Sequence, residues 1–185
     1  MIGPALILID IQTGFDAPVW GDRNNPLAEE NAGRLLAAWR AQNHPVVHIR
    51  HISVEPGSPL GPQTGGTDFK PEVTPLPDEV IFDKSVNSAF IGTDLEPHLR
   101  ALGVTDLVIC GLTTPHCVST TSRMAANLGF NVTLAHDACA AFTGNASTGW
   151  SDLPAMSATD IHNSAVSHLH GEFVIARPTQ SFFAD

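Results

Sequence analysis

Residues 107–135 read LVICGLTTPHCVSTTSRMAANLGFNVTLA, and the spacing of their apolar side chains changes twice. Residues 107–110 are a continuous apolar run, the pattern of a strand buried on both faces. Thr114 then fits an N-cap with Pro115 at the first helical position, and the helix ends near Gly129. Residues 132–135 make a second β-rich run. Strand, helix and strand in this order form a crossover unit, whose two strands are parallel.

The alternation continues on both sides. Upstream, 5–9 (ALILI) is another unbroken apolar run, closed by Asp10. Asn24 or Asn25 fits a helix cap with Pro26 at the first position. Leu27, Ala28, Leu35, Leu36 and Trp39 then supply the apolar stripe of a helix that runs to about Gln42. Residues 46–49 and 79–82 are short strands. Thr93 and Glu96 fit a capping box ahead of a Leu95, Leu99, Leu102 stripe, and Gly103 stands at its C-terminus. A last helix from about 155 to 169 precedes a strand at 173–176. Strands alternating with helices define an α/β protein, a parallel sheet with helices on both faces. No internal repeat or second domain interrupts residues 1–185. The exception is 52–78, rich in proline and glycine, which is expected to be an ordered loop over the site or at a subunit interface.

The chain has 185 residues, 43% of them hydrophobic, enough for one domain with a substantial core. Its formal net charge of -10, with no run of Lys or Arg, argues against nucleic acid and membrane surfaces as partners and leaves a small-molecule substrate. The N-terminus has no basic leader and its apolar run is too short to span a bilayer, so it reads as the first strand of a cytoplasmic protein. Cys110, Cys117 and Cys139 make neither an even disulfide set nor a metal spacing, and reduced thiols are expected.

In open parallel sheets ligands sit at the carboxyl ends of strands. Asp10 closes the first strand, Lys84 lies two residues past Phe82, and Cys117 lies in the first helical turn after the fourth strand. A carboxylate, an ammonium and a thiol at one edge supply a base, a cation and a nucleophile. A helix N-terminus lowers a thiol pKa, and its amides suit an oxyanion. The plain alternatives are a Cys that is a small buried hydrophobe, an Asp that caps a turn and a solvated Lys. For Cys110 and Cys139 the buried reading is preferred.

The blocks ALILIDIQTGF (5–15), KSVNSAFIGTDLEPHLR (84–100), LVICGLTTPHCVSTTSRMAANLGFNVTLAHDACAAF (107–142) and HLHGEFVIA (168–176) together resemble the isochorismatase-like cysteine hydrolase family, which includes nicotinamidases and N-carbamoylsarcosine amidase. The resemblance implies a catalytic Asp10, Lys84 and Cys117, an oxyanion hole from the amides of Thr113 and Cys117, and a cis peptide between Leu112 and Thr113. It also implies a three-layer Rossmann-like fold with a six-stranded parallel sheet of order 3-2-1-4-5-6, and a homo-oligomer, dimer or tetramer. Nicotinamidases carry an Asp-x-His and a further His after the second strand to bind a metal. This chain reads HIRHISVEPGSP there, so no metal and no cofactor is expected, and His48 and His51 take a structural or substrate-contacting role. Phe15, Trp20, Asn87, Phe90 and His116 flank the trio in sequence and fit a pocket wall, the aromatics fitting a core equally well. His162, His168 and His170 are expected at the surface, and Asp137 and Cys139 in capping and packing.

Three functions compete. The first is metal-independent hydrolysis of a small amide or carbamoyl C–N bond through a Cys117 thioester. The second is isochorismatase-type cleavage of an enol ether. The third is a non-catalytic thiol whose low pKa makes it an oxidant sensor.

Overall fold

In β1, Ala5–Ile9, every residue is buried, because the strand pairs in parallel with β2, Val46–His51, on one side and with β4, Asp106–Leu112, on the other. A strand flanked on both edges and covered on both faces leaves no position for a polar side chain. The computed structural model describes residues 2–183. Its remaining strands are β3 (Val80–Lys84), β5 (Asn131–Ala140) and β6 (Ile175–Arg177), and the sheet runs β3-β2-β1-β4-β5-β6 with every pair parallel. This is the expected six-stranded order. The sheet grows one way from β1 and the other way from β4, so right-handed crossovers place helices on opposite faces. Helix α1 (Ala28–Ala41) packs across β1, β4 and β5, while α3 (Ser119–Asn127) and α4 (Ala158–Leu169) pack against each other. Among the described residues no helix is long and apolar enough to cross a membrane.

Several element boundaries differ from the sequence reading, each for a tertiary reason. Helix α1 starts at Ala28 without a side-chain cap. Asn24 and Asn25 are diverted to β5 and the chain just past it: Asn24 Oδ1 accepts from the Ala141 amide at 2.7 Å and Asn25 Nδ2 donates to the Cys139 carbonyl at 2.7 Å. The stripe itself holds, with Ala28, Ala32, Leu35, Leu36 and Trp39 buried. The Thr93–Glu96 capping box does not form, since α2 (Leu95–Ala101) begins on Asp94 and the Thr93 hydroxyl donates to the Ala89 carbonyl. Strands β3, β4 and β5 extend past their apolar runs, to Lys84, Leu112 and Ala140, because pairing continues where hydrophobicity stops. The helix expected from Thr114 opens instead as a π-helical turn, Thr114–Val118, with α3 following it.

The proline-rich segment 52–78 is ordered and lies partly over the site. Gln12 clamps it: its side-chain amide donates to the His51 and Thr67 carbonyls at 3.0 and 3.1 Å, and its oxygen accepts from the His51 amide at 2.7 Å. The Gly14 amide donates to the Gly66 carbonyl at 2.9 Å, an approach so close that a Cβ on Gly66 would meet the Gly14 backbone.

Candidate active site

The switch point of the sheet lies between β1 and β4, where crossovers diverge and leave a crevice. Asp10 ends β1 in a left-handed conformation, φ 51°, which Asp tolerates better than most residues. Lys84 is the last residue of β3 and pairs in register with His51, the last residue of β2. Cys117 sits in the π-helical turn that follows β4, a turn type frequent at functional sites. The peptide between Leu112 and Thr113 is cis, as expected.

These placements bring the three predicted residues together. Lys84 Nζ donates to Asp10 Oδ2 at 2.7 Å, to His51 Nδ1 at 2.9 Å and to Cys117 Sγ at 3.3 Å. An ammonium has three donors, and all three are taken. The Asp10 and Lys84 side chains are wholly buried. Asp10 Oδ1 is buried with no hydrogen-bond partner among the described residues, and it is the open acceptor of the group. The Cys117 thiol donates to Asn87 Oδ1 at 3.7 Å.

Electrostatics here run against the helix-terminus expectation for Cys117. Burial, with the Asp10 carboxylate beside it, pushes the thiol pKa well up, and Lys84 offsets only part of this. The direction of the shift favours a protonated thiol, which needs a base before it can attack. Burial also raises the Asp10 carboxyl against the pull of Lys84. His51 is pushed down to about 4 by burial and by Lys84. It is neutral, its Nδ1 accepts from Lys84, and its proton consequently sits on Nε2.

Asp10, His51 and Cys117 present ligand atoms within 4.8 Å of one another, a spacing a metal ion could use. The Lys84 ammonium occupies the middle of that set, so the position of a cation is filled by the chain itself. His48 is buried instead against Glu79, Nε2 to Oε2 at 2.9 Å, and takes the structural role.

Above the thiol lies a cavity of about 580 Å³. Phe15, Trp20, Asn87 and His116 line it, as do Thr113 and Cys117. Phe15 packs on Trp20 with ring centroids 5.0 Å apart, and the Trp20 indole donates to the Gly14 carbonyl at 2.8 Å, which fixes that wall. Phe90 does not line the cavity. It stacks on Phe130 at 6.0 Å and packs against the main core, the alternative its aromatic character allowed. His162 is likewise corrected: it is buried, with Nδ1 2.8 Å from Thr114 Oγ1 beneath the Cys117 turn, whereas His168 and His170 are exposed. Asp137 caps the turn at Thr179 at 2.7 Å and Cys139 lies in the core, as expected. His51 lines the cavity, in keeping with the substrate-contacting role expected for it, but two features near the site escaped the sequence reading. The Lys84 contact of His51 was signalled only by its place at the end of the strand between those bearing Asp10 and Lys84. Gln12 had no signal beyond lying two residues past Asp10.

A doubly wound α/β sheet with a buried carboxylate, ammonium and thiol gathered at its switch point is a scaffold that can carry nucleophilic catalysis. The isochorismatase domain model matches residues 4–159, and the chain belongs to the isochorismatase family of hydrolases. It is 45% identical over 183 residues to an isochorismatase family protein of Bacillus subtilis, covering 98% of this chain and 95% of that one. A crystal structure of an isochorismatase-family hydrolase from Chromobacterium violaceum superposes with a TM-score of 0.90 at 46% identity, covering 97% of this chain and 91% of that one. Streptothricin hydrolase of Streptomyces noursei is 37% identical over 141 residues, 75% of this chain and 50% of that protein.

Proposed function

We propose that the protein hydrolyses the C–N bond of a small amide or carbamoyl compound, with Cys117 as nucleophile, Asp10 as proton carrier and Lys84 as the charge that holds the thiolate. The observation that carries this reading is the single ammonium 2.7 Å from Asp10 Oδ2 and 3.3 Å from Cys117 Sγ at the floor of the cavity. The likeness to a streptothricin hydrolase supports it.

The chemistry follows from the contacts. Asp10 takes the thiol proton and becomes neutral, which leaves the Lys84 ammonium paired with the thiolate. Sulfur attacks the carbonyl carbon, and the carbonyl electron pair moves to oxygen, where the amides of Thr113 and Cys117 receive it. Collapse expels the amine, which takes the proton from Asp10, and leaves a thioester. Asp10 next deprotonates a water that attacks the thioester, and the acid leaves as the thiol regains its proton. Enol-ether cleavage needs protonation of a carbon and gains nothing from a thiolate.

The test is a panel of primary amides, ureas and carbamoyl amino acids with ammonia release as readout. A hydrolysed substrate leaves a covalent acyl adduct on Cys117, detectable by mass spectrometry in slowed Asp10 or Lys84 variants. Cys117→Ala loses activity by about 10³-fold or more and keeps its fold, and dialysis against a chelator leaves the wild-type rate unchanged. Isochorismate cleavage that survives Cys117→Ala, with no adduct from any carbonyl compound, would overturn the reading.

A further inference from the structure

The walls of the Cys117 cavity are poor in charge, and the charge they carry is negative. Of the ionisable side chains that line it, Glu55 is exposed on the loop at the mouth, while His51 and His116 are both held neutral, burial being the first cause in each case. Among the described residues no Arg or Lys side chain faces the cavity. The nearest ammonium, Lys84, has its three donors committed to Asp10, His51 and Cys117. Arg23, three residues past Trp20, is held in a two-pronged pair with Glu29 at 2.8 and 2.9 Å. The apolar wall is Phe15 against Trp20, faced by Leu60 of the loop. The chain as a whole carries a formal net charge of -10.

A carboxylate buried away from the reacting carbonyl is recognised by an Arg fork or by an unpaired cation, and neither lines this cavity, whose Thr113 and Cys117 amides are taken by the reacting carbonyl in the proposed reaction. A carboxylate entering would instead lose water beside Glu55, above an Asp10–Lys84 pair that is neutral as a whole and offers it no compensating charge. A flat uncharged body meets no such cost and gains the aromatic wall, and a cationic body gains Glu55.

We infer that the cavity sorts substrates by charge, taking small amides whose body is uncharged or cationic and turning away those that carry a carboxylate, the dicarboxylate isochorismate among them. This rests on the reading of Cys117 as the reacting atom, and it can be tested without turnover. Iodoacetamide and iodoacetate differ in little but charge, and both alkylate a thiol with loss of iodide. Their rates on Cys117 in the full chain, followed by mass spectrometry and each divided by the rate on free cysteine, should differ by about tenfold or more in favour of the amide. Raising salt from about 0.02 to about 0.5 M shortens the screening length and should narrow that ratio. Glu55→Gln should narrow it severalfold, and Glu55→Lys further. Equal normalised rates in the wild type would overturn the inference, as would a ratio that neither salt nor Glu55→Lys moves. Failure of the hydrolytic reading shows separately, as activity retained by Cys117→Ala, and leaves the alkylation ratio readable.

Discussion

Lys84 gives one ammonium to three acceptors, and the balance among them determines what each can do. Asp10 raises the neighbouring thiol and Lys84 lowers it, so their joint removal and their single removal have different consequences. Asp10→Asn keeps the shape and removes the proton acceptor, and turnover should fall by about 10²–10⁴-fold. The same change leaves the buried Lys84 charge without its carboxylate, which draws the thiol toward thiolate. Alkylation of Cys117 by iodoacetamide at neutral pH should therefore be faster in Asp10→Asn than in the wild type while hydrolysis is slower. A variant slow in both would point to a damaged site, and one with full turnover would assign the base to another group.

Among the elements, β1 and β4 meet at Ile9 and Gly111, in register beside the switch point. Gly111 has φ 131°, and a Cβ there would run into the Ile9 carbonyl oxygen, so both the backbone conformation and the space exclude a side chain. Gly111→Ala should lower Tm by on the order of 10 °C, from about 3 kcal/mol of strain and contact. Gly129, with φ 86° and nothing within 4 Å of the place a methyl would take, isolates the conformational part. Gly129→Ala should cost only about 1 kcal/mol. Equal losses of Tm in thermal unfolding followed by circular dichroism would show that close approach at the strand ends contributes nothing.

The whole molecule carries two histidines, half-buried His51 and buried His162, as acid-sensitive groups. His51 and His162 are each pushed from an ordinary 6.5 down to about 4, both chiefly by burial, with Lys84 adding to the first and His136 to the second. Between these values the unfolded chain binds more protons than the folded one, so stability falls as pH falls from 6.5 to about 4 and then loses nothing more from these groups. Glu79 extends the loss. Burial works to raise its carboxyl, but Arg40, the Leu76 amide and His48 together hold it down at about 2, so its contribution is present above 4.5 and fades as pH falls toward 2. Asp10, raised by burial, acts in the opposite sense. Tm measured from pH 7.5 to pH 4 should decline across this window, and His162→Gln should flatten the decline if its fold is intact. A Tm independent of pH between 6.5 and 4 would contradict the neutral state of both rings.

Local periodicity and the strand-end rule were enough to read the parallel sheet, the apolar stripe of α1 and the positions of Asp10, Lys84 and Cys117, because each depends on neighbours along the chain. The resemblance of the motif blocks supplied the strand order. What depends on neighbours across the chain was decided by the tertiary structure. Asn24 and Asn25 have the chemistry of caps, yet their side chains go to backbone groups in β5 and just past it that folding brings beside them. Phe90 has a pocket aromatic's chemistry and finds Phe130 instead. His51 becomes the third acceptor of Lys84 only when β2 and β3 are in register. The Cys117 thiol is the clearest case: helix position alone favours thiolate, but burial, a property of the whole packed molecule, and the Asp10 carboxylate push its pKa up.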